Sequence, residues 1–374
     1  MRPTIDRATS TPVLPSLTGL RWVAALVVFA FHVRNAGYFD IDGGRVMTAL
    51  FGAGATGVSL FFVLSGFVLE WASRSGRDTS IPSFWRHRIA RIYPLHVATV
   101  ALALVLAATV VPSIATTDPW AVLSNLTLTS AWNHEWWQSG NPVSWSLVCE
   151  AFFYLVFPFA APLVRRLERT PLVLSLIAAV LMVIAGPLVS QTLSLPISAA
   201  TSPVMRLPEF VSGILLARLL RNGWWSGPAL PPAIALTAAG YGAALTWPDS
   251  AGAFSGFTIV GFCLLIAALA RTDFEGAPTA LASRTLVQLG TLSFPFYLVH
   301  LLVIQAIAAF YPHSRPSLET PEALALTGLA LAVGLGSAWA LHRVIEVPGH
   351  RLILTKWTEN APARTPRPAL ARTA

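Results

Sequence analysis

An arginine and a histidine stand eleven positions apart in an otherwise apolar run of the sequence. The run extends from Leu17 to His32, with Arg21 near its start. An arginine inside a hydrocarbon span costs roughly 2.5–3.5 kcal/mol on insertion scales, so a functional role is the first hypothesis. Eleven residues at about 100° each complete about three helical turns and return to the same helix face. The two side chains then lie about 16 Å apart along the axis, which is roughly half of the hydrocarbon thickness.

This spacing predicts one helix face with a fixed cation near one side of the membrane and a titratable imidazole near the other. Histidine is the usual general base at neutral pH, because its pKa in water lies close to 7. A histidine in a membrane helix is often only a packed, hydrogen-bonded residue. The shared face of Arg21 and His32 strengthens the case for catalysis, and packing stays the alternative at this point.

The composition indicates a membrane protein. Of the 374 residues, 55% are hydrophobic and 11% are charged, against about 25% charged in soluble domains. The two cysteines, Cys149 and Cys263, lie in apolar runs, which favours packed side chains over a disulfide or a metal site. The net charge of +8 comes from short basic clusters between apolar runs, a pattern of membrane topology rather than of nucleic-acid binding.

The apolar runs predict an all-α, polytopic protein of about ten transmembrane helices. We divide the chain into a cytoplasmic segment (1–16), a transmembrane domain (17–351) and a disordered cytoplasmic tail (352–374). The predicted spans are 17–33, 54–71, 93–111, 143–164, 171–190, 204–220, 230–247, 253–270, 289–311 and 322–345.

The basic residues between these spans predict the orientation. Nineteen of the 25 fall on one side and three on the other, with three inside spans. Such an asymmetry predicts a bacterial inner-membrane protein with both termini in the cytoplasm. The segment 113–142 carries no basic residue and four tryptophans, so we expect an outer loop at the headgroup level.

Five short motifs then occur in a fixed order along the chain, and together they resemble the membrane-bound acyltransferase-3 family. The resemblance covers about residues 17–351, and the order and spacing of the motifs are more specific than any one of them. The motifs are Leu17-Thr-Gly-Leu-Arg21 with His32, Gly57-Val-Ser-Leu-Phe-Phe-Val-Leu-Ser-Gly66-Phe67, Phe84-Trp-Arg-His-Arg88-Ile-Ala-Arg91-Ile-Tyr-Pro94, Trp145-Ser-Leu-Val-Cys-Glu150-Ala-Phe-Phe-Tyr154 and Phe294-Pro-Phe-Tyr297-Leu-Val-His300.

The resemblance implies that His32 is the base that removes a proton from an acceptor hydroxyl during acyl transfer. A histidine nucleophile that forms an acyl-imidazole is the alternative. Arg21 and Glu150 join it as predicted catalytic residues. Arg21 either faces the donor or forms an ion pair with Glu150 or Glu70, whereas Glu150 either pairs with Arg21 or orients the His32 ring.

A cationic patch is predicted at the cytoplasmic end of the helix bundle. Arg88 and Arg91 are three residues apart and share a helix face, and Arg86 lies beside them. Guanidinium groups suit the phosphates of coenzyme A, and the family resemblance implies that these three arginines bind acyl-CoA. The alternative is that they only anchor a cytoplasmic loop.

The remaining polar residues in the spans receive binding or structural roles. We assign Trp145, Tyr297 and His300 to substrate binding, although a core polar network would explain the last two equally well. Arg206 and Glu209 are predicted to form a structural ion pair with each other. No ligand spacing predicts a metal site, and no permanently bound cofactor is expected.

The resemblance therefore implies an O-acyltransferase in the lipid bilayer that moves an acyl group, expected to be acetyl, from acyl-CoA to a hydroxyl. The expected acceptor is a carbohydrate or a glycosylated molecule, and a small secondary metabolite such as a macrolide is the alternative acceptor. A transporter or flippase for a lipid-linked sugar would also bury charges at mid-depth. A non-catalytic envelope scaffold is disfavoured by the number of ionisable residues within spans.

Overall fold

The helices begin where the sequence provides a proline or a polar cap. The computed structural model describes residues 13–73, 80–194, 198–250 and 255–359, with side chains described up to 355. The described residues form thirteen α-helices and no β-strand, so the all-α prediction is confirmed. The helices are α1 (Pro15–Asn35), α2 (Ile41–Phe51), α3 (Gly57–Ala72), α4 (Ile81–Thr109), α5 (Pro119–Leu126), α6 (Trp145–Arg166), α7 (Arg169–Thr192), α8 (Pro203–Arg221), α9 (Leu230–Thr246), α10 (Ile259–Phe274), α11 (Arg284–Ala308), α12 (Thr320–Leu341) and α13 (Val347–Glu359).

Seven helical segments of the described chain are long and apolar enough to cross a membrane. The predicted count of about ten is not confirmed. Helices α9 and α10 have 17 and 16 residues, against about 20 for a span, and α8 contains Arg206, Glu209, Arg218 and Arg221. The seven segments are Pro15–Asn35, Ile41–Ala72, Ile81–Thr109, Trp145–Arg166, Arg169–Thr192, Arg284–Ala308 and Thr320–Thr355.

Glycines allow α3 and α8 to pack backbone against backbone. Gly66 lies against the carbonyl of Phe210, and Gly213 lies against the carbonyl of Val63. A side chain at either glycine would overlap that backbone. Small residues at helix crossings are a usual way to gain van der Waals contact in a bilayer, where burial from water contributes little.

The start of α1 is fixed by polar contacts with the last turn of α10 and with the segment after it. The Ser16 amide and hydroxyl donate to the Asp273 carboxylate at 3.0 and 2.6 Å, and the hydroxyl also lies 2.6 Å from that of Thr279. Further along, Gly290 of α11 lies against the carbonyl of Thr18. These contacts set the axial position of α1, and they therefore set the depth at which Arg21 and His32 lie in the bundle.

One end of the bundle holds a fully buried carboxylate. Glu70, at the end of α3, accepts hydrogen bonds from Nε and Nη2 of Arg165 in α6, at 3.1 and 2.7 Å. Arg221 of α8 donates to the carbonyls of Glu70 and Ser73 at 2.7 and 2.8 Å. Because Arg165 satisfies this carboxylate, the predicted alternative of an Arg21–Glu70 ion pair is not formed.

At the opposite end, the segment 113–142, which we call the tryptophan-rich segment, folds over the bundle and is anchored to it. The Asn125 side-chain amide donates to the Ser144 hydroxyl at 2.7 Å, and the backbone carbonyl of Asn125 accepts from the His96 ring at 2.9 Å. The Asn141 amide donates to the carbonyl of Leu298 in α11 at 2.7 Å. The prediction of a loop resting at the membrane surface is therefore incomplete, since part of this segment is buried and roofs a cavity.

Candidate active site

Arg21 and His32 share one helix but open into two different cavities. One cavity, of about 110 Å³, is lined by Arg21 and lies toward the start of α1. The other, of about 1010 Å³, is lined by His32 and lies under the tryptophan-rich segment. We call them the inner and the outer cavity, after the orientation that the sequence predicts. The predicted separation of a cation and an imidazole along one helix therefore becomes a separation between two compartments.

The inner cavity is cationic. Arg21 of α1 and Arg88 and Arg91 of α4 line it, and Glu150 of α6 is the carboxylate among its lining residues. Two cations of the predicted donor patch thus face the same space as a predicted catalytic residue. The third, Arg86, is not among the residues that line this cavity, so its assignment to donor binding stays a prediction.

Among the residues that the structure describes, aromatic rings and no carboxylate hold Arg88. Its guanidinium carbon lies 5.7 Å from the ring centre of Phe84 and 5.8 Å from that of Tyr154. Such cation–π contacts orient the guanidinium plane without neutralising its charge. Arg91 is exposed. Both arginines therefore remain available to an anionic ligand that approaches the mouth of the inner cavity.

Glu150 accepts hydrogen bonds from one hydroxyl of its own helix and one of α3. Its Oε1 accepts from the Tyr154 hydroxyl one turn later and from the Ser65 hydroxyl at 3.2 Å. Within the described residues it forms no ion pair with Arg21, and it lies in the other cavity from His32. Neither predicted contact of Glu150 is present, and its Oε1 is bonded to the Tyr154 and Ser65 hydroxyls instead.

His32 is surrounded by aromatic side chains and open on one side to the outer cavity. Its ring centre lies 5.2 Å from that of His300 and 5.3 Å from that of Phe31. Trp145 and Tyr297, two of the predicted substrate-binding residues, line the same cavity. The third, His300, is buried behind His32 and is not among the lining residues.

Tyr297 and Val58 line both cavities and thus form the partition between them. The Tyr297 hydroxyl accepts from Ser146 at 2.8 Å and donates to the carbonyl of Val143 at 3.3 Å. These bonds hold the phenol against the start of α6. Because Val58 and Tyr297 each line both cavities, the partition at this point is one side chain thick. This role of Tyr297 could not be predicted from the sequence, because it depends on how α3, α6 and α11 meet.

The buried ion pair predicted in α8 is confirmed. The Arg206 Nη1 lies 3.1 Å from the Glu209 Oε1, and both side chains are buried. Arg206 also donates to the Ser59 hydroxyl at 2.9 Å and lies over the ring of Phe62. The pair joins α8 to α3 and lines neither cavity.

These features define a multi-pass membrane protein with a cationic inner compartment and a histidine-bearing outer compartment. The chain belongs to the acyltransferase family whose model, described as an acyltransferase domain, matches residues 14–342. It is 38% identical over 364 residues to "Acyltransferase MdmB" of Streptomyces mycarofaciens, covering 91% of this chain and 92% of that protein. It is 29% identical over 275 residues to "Exopolysaccharide production protein ExoZ" of Rhizobium meliloti (strain 1021), covering 69% and 79%. No solved structure matches the chain.

Proposed function

We propose that this acyltransferase moves an acyl group, expected to be acetyl, from acyl-CoA through the partition to a hydroxyl in the outer cavity. The observation that carries the proposal is that Val58 and Tyr297 line both the cationic and the histidine-bearing cavity. A reactive thioester that enters from the arginine side thus has only one layer of side chains between it and His32. Membership of the acyltransferase family favours this function over a flippase.

The size of the inner cavity supports a donor with a thin reactive arm. Ligand pockets for compact molecules measure roughly 300–1,000 Å³, so about 110 Å³ is too small for the nucleotide of coenzyme A. An extended pantetheine arm is narrow enough for such a space. In this arrangement the phosphates stay at the mouth, where Arg88 and Arg91 supply charge-assisted hydrogen bonds.

The outer cavity suits a large acceptor that carries hydroxyl groups. Its volume of about 1010 Å³ lies at the upper end of the usual range. Trp136, Trp137 and Trp145 provide flat apolar faces, and Glu135 and Gln138 provide polar groups for hydroxyls. These features support a carbohydrate or a glycosylated molecule, and the volume admits a macrolide glycoside as well as part of a glycan.

The reaction then needs one base and a dry, ordered site. His32 takes the proton as the acceptor oxygen attacks the thioester carbonyl, the carbon–sulfur bond breaks, and the thiolate leaves with that proton. The products are an ester and free coenzyme A. Holding both reactants beside one imidazole supplies much of the rate, and the helix walls exclude water that would hydrolyse the donor.

Obstructing the partition tests the proposed route. We expect Val58→Trp to lower acyl transfer from acetyl-CoA at least about 100-fold, because the arm can no longer align with His32. Binding of coenzyme A, measured by calorimetry on the purified protein, should change little. Val105→Trp, the same change at an exposed position of α4, is the control. Normal transfer by a folded Val58→Trp protein would rule out this route.

The proposed orientation in a bacterial inner membrane puts both termini and the mouth of the inner cavity in the cytoplasm. In a background with Cys149 and Cys263 replaced by alanine, we expect His134→Cys to react with an impermeant maleimide on intact spheroplasts. Ala280→Cys should react only after the membrane is opened. Both positions are exposed, so labelling depends on sidedness. The opposite labelling pattern would reverse the proposed orientation.

A further inference from the structure

One ring nitrogen of His300 is fixed by its own helix. His300 Nδ1 lies 2.7 Å from the carbonyl oxygen of Tyr297 and 3.2 Å from that of Phe296. A carbonyl oxygen only accepts hydrogen bonds, so Nδ1 must carry the hydrogen. In the neutral ring the other nitrogen, Nε2, then bears the lone pair and can only accept.

That second nitrogen is buried without a partner. His300 is 1% exposed, and no hydrogen bond to Nε2 is formed by any of the residues that the structure describes. Leaving a buried acceptor unsatisfied costs about 1–3 kcal/mol, so such an atom calls for an explanation.

Two rings beside His300 carry polar groups, Tyr297 and His32. The Tyr297 ring centre lies 5.7 Å away, and its hydroxyl is already bonded to Ser146 and to the carbonyl of Val143. Phe296 stacks on the His300 ring with centres 5.7 Å apart, and Phe29 lies at 6.4 Å. The His32 ring centre lies at 5.2 Å, tilted by 51°. At this separation of ring centres, a hydrogen bond to Nε2 requires that His32 turn one of its ring nitrogens toward His300.

We propose that His300 is a positioning residue that accepts a hydrogen bond from the ring N–H of His32. This inference rests on the proposed function of His32 as the base. The bond holds His32 in the tautomer whose unprotonated nitrogen faces the outer cavity and the acceptor hydroxyl. It supplies the orientation that Glu150, located in the other cavity, does not provide.

The hydrogen bond between His32 and His300 keeps the same donor and acceptor throughout the proposed reaction. When His32 takes the hydroxyl proton at its cavity-facing nitrogen, its other N–H stays on His300 Nε2. When the thiolate leaves, that same proton passes from the cavity-facing nitrogen to sulfur, and the starting tautomer returns. His300 neither gains nor loses a proton, which distinguishes positioning from acid–base catalysis.

Three substitutions separate positioning from packing. His300→Phe keeps a flat ring but removes both nitrogens, and His300→Asn retains an amide only near the position of Nδ1. His300→Gln reaches further and places an amide acceptor near the position of Nε2. His96→Phe is the matched control, since His96 is also buried, donates to a backbone carbonyl and leaves its other nitrogen without a partner.

The first readout is the tautomer of His32, which needs no substrate. Nitrogen-15 spectra of histidine-labelled protein resolve protonated from unprotonated ring nitrogens, and His32→Gln identifies the His32 signals among the eight histidines. We expect one tautomer in the wild type and in His300→Gln and His96→Phe, and two in His300→Phe and His300→Asn. Mixed tautomers in the wild type, or one tautomer in His300→Phe, would overturn the proposal.

The second readout is kinetic. With acetyl-CoA as donor, we expect His300→Phe to lower kcat by about 10- to 10³-fold while the KM for acetyl-CoA stays within about twofold, because the loss of an orienting partner costs rate rather than binding. His300→Gln should recover most of kcat. Equal losses in the Phe and Gln variants would indicate packing instead. If the wild type transfers no acyl group from acetyl-CoA, the proposed function fails, whereas the tautomer measurement still decides the His32–His300 bond.

Discussion

His32→Ala is expected to lower acyl transfer from acetyl-CoA by about 10²–10⁴-fold, because a general base contributes about that factor. The side chain opens into the outer cavity from α1, and the Ser16–Asp273 contacts and the glycine crossing with α11 that fix α1 do not involve it. We therefore expect membrane insertion and the amount of folded protein to be unchanged.

The measurement is release of the coenzyme A thiol by purified protein, with envelope polysaccharide or a glycosylated macrolide supplied as acceptor. His134→Ala, at an exposed position in the tryptophan-rich segment, is the matched control and should retain wild-type turnover. Near-normal turnover of His32→Ala would refute the assignment. Labelled acetyl that stays on the wild-type protein but not on His32→Ala would identify a nucleophile rather than a base.

The sequence predicted what lies within single helices better than what lies between them. The common face of Arg21 and His32 follows from helical spacing alone, and so does the Arg206–Glu209 pair at i and i+3. The partner of Glu150 was also available one turn away, since Tyr154 stands at i+4. It was missed because a cation was expected beside the carboxylate, whereas two hydroxyls donate hydrogen bonds to it.

Contacts between helices could not be predicted in this way. That Arg165 rather than Arg21 satisfies Glu70 depends on the ends of α3 and α6 meeting. That Tyr297 divides two cavities depends on where α11 crosses α3 and α6, which no single motif records. Three predicted spans, 204–220, 230–247 and 253–270, are not confirmed. The helix at the first, α8, contains buried charges, and the helices at the other two, α9 and α10, are short.

Arg88→Ala is expected to raise the KM for acetyl-CoA by roughly 10- to 150-fold, with a smaller effect on kcat. A charge-assisted hydrogen bond contributes about 1.5–3 kcal/mol, which corresponds to that range of affinity. Arg91→Ala should have a weaker effect, because Arg91 is exposed whereas Phe84 and Tyr154 orient Arg88. Arg86→Ala should have the least effect, since Arg86 does not line the inner cavity.

A truncated donor separates phosphate binding from folding. Acetyl-pantetheine lacks the nucleotide, so the KM for it should be the same in the wild type and in Arg88→Ala. Arg166→Ala removes an exposed cation at the end of α6 and should leave both donors unaffected. Arg88→Lys should recover only part of the loss. The ammonium of lysine keeps the charge, but it lacks the planar guanidinium group that lies over the two rings and offers several N–H donors. Equal losses with both donors would mean that Arg88 supports the fold of α4 and α6 and does not bind the phosphates of the donor.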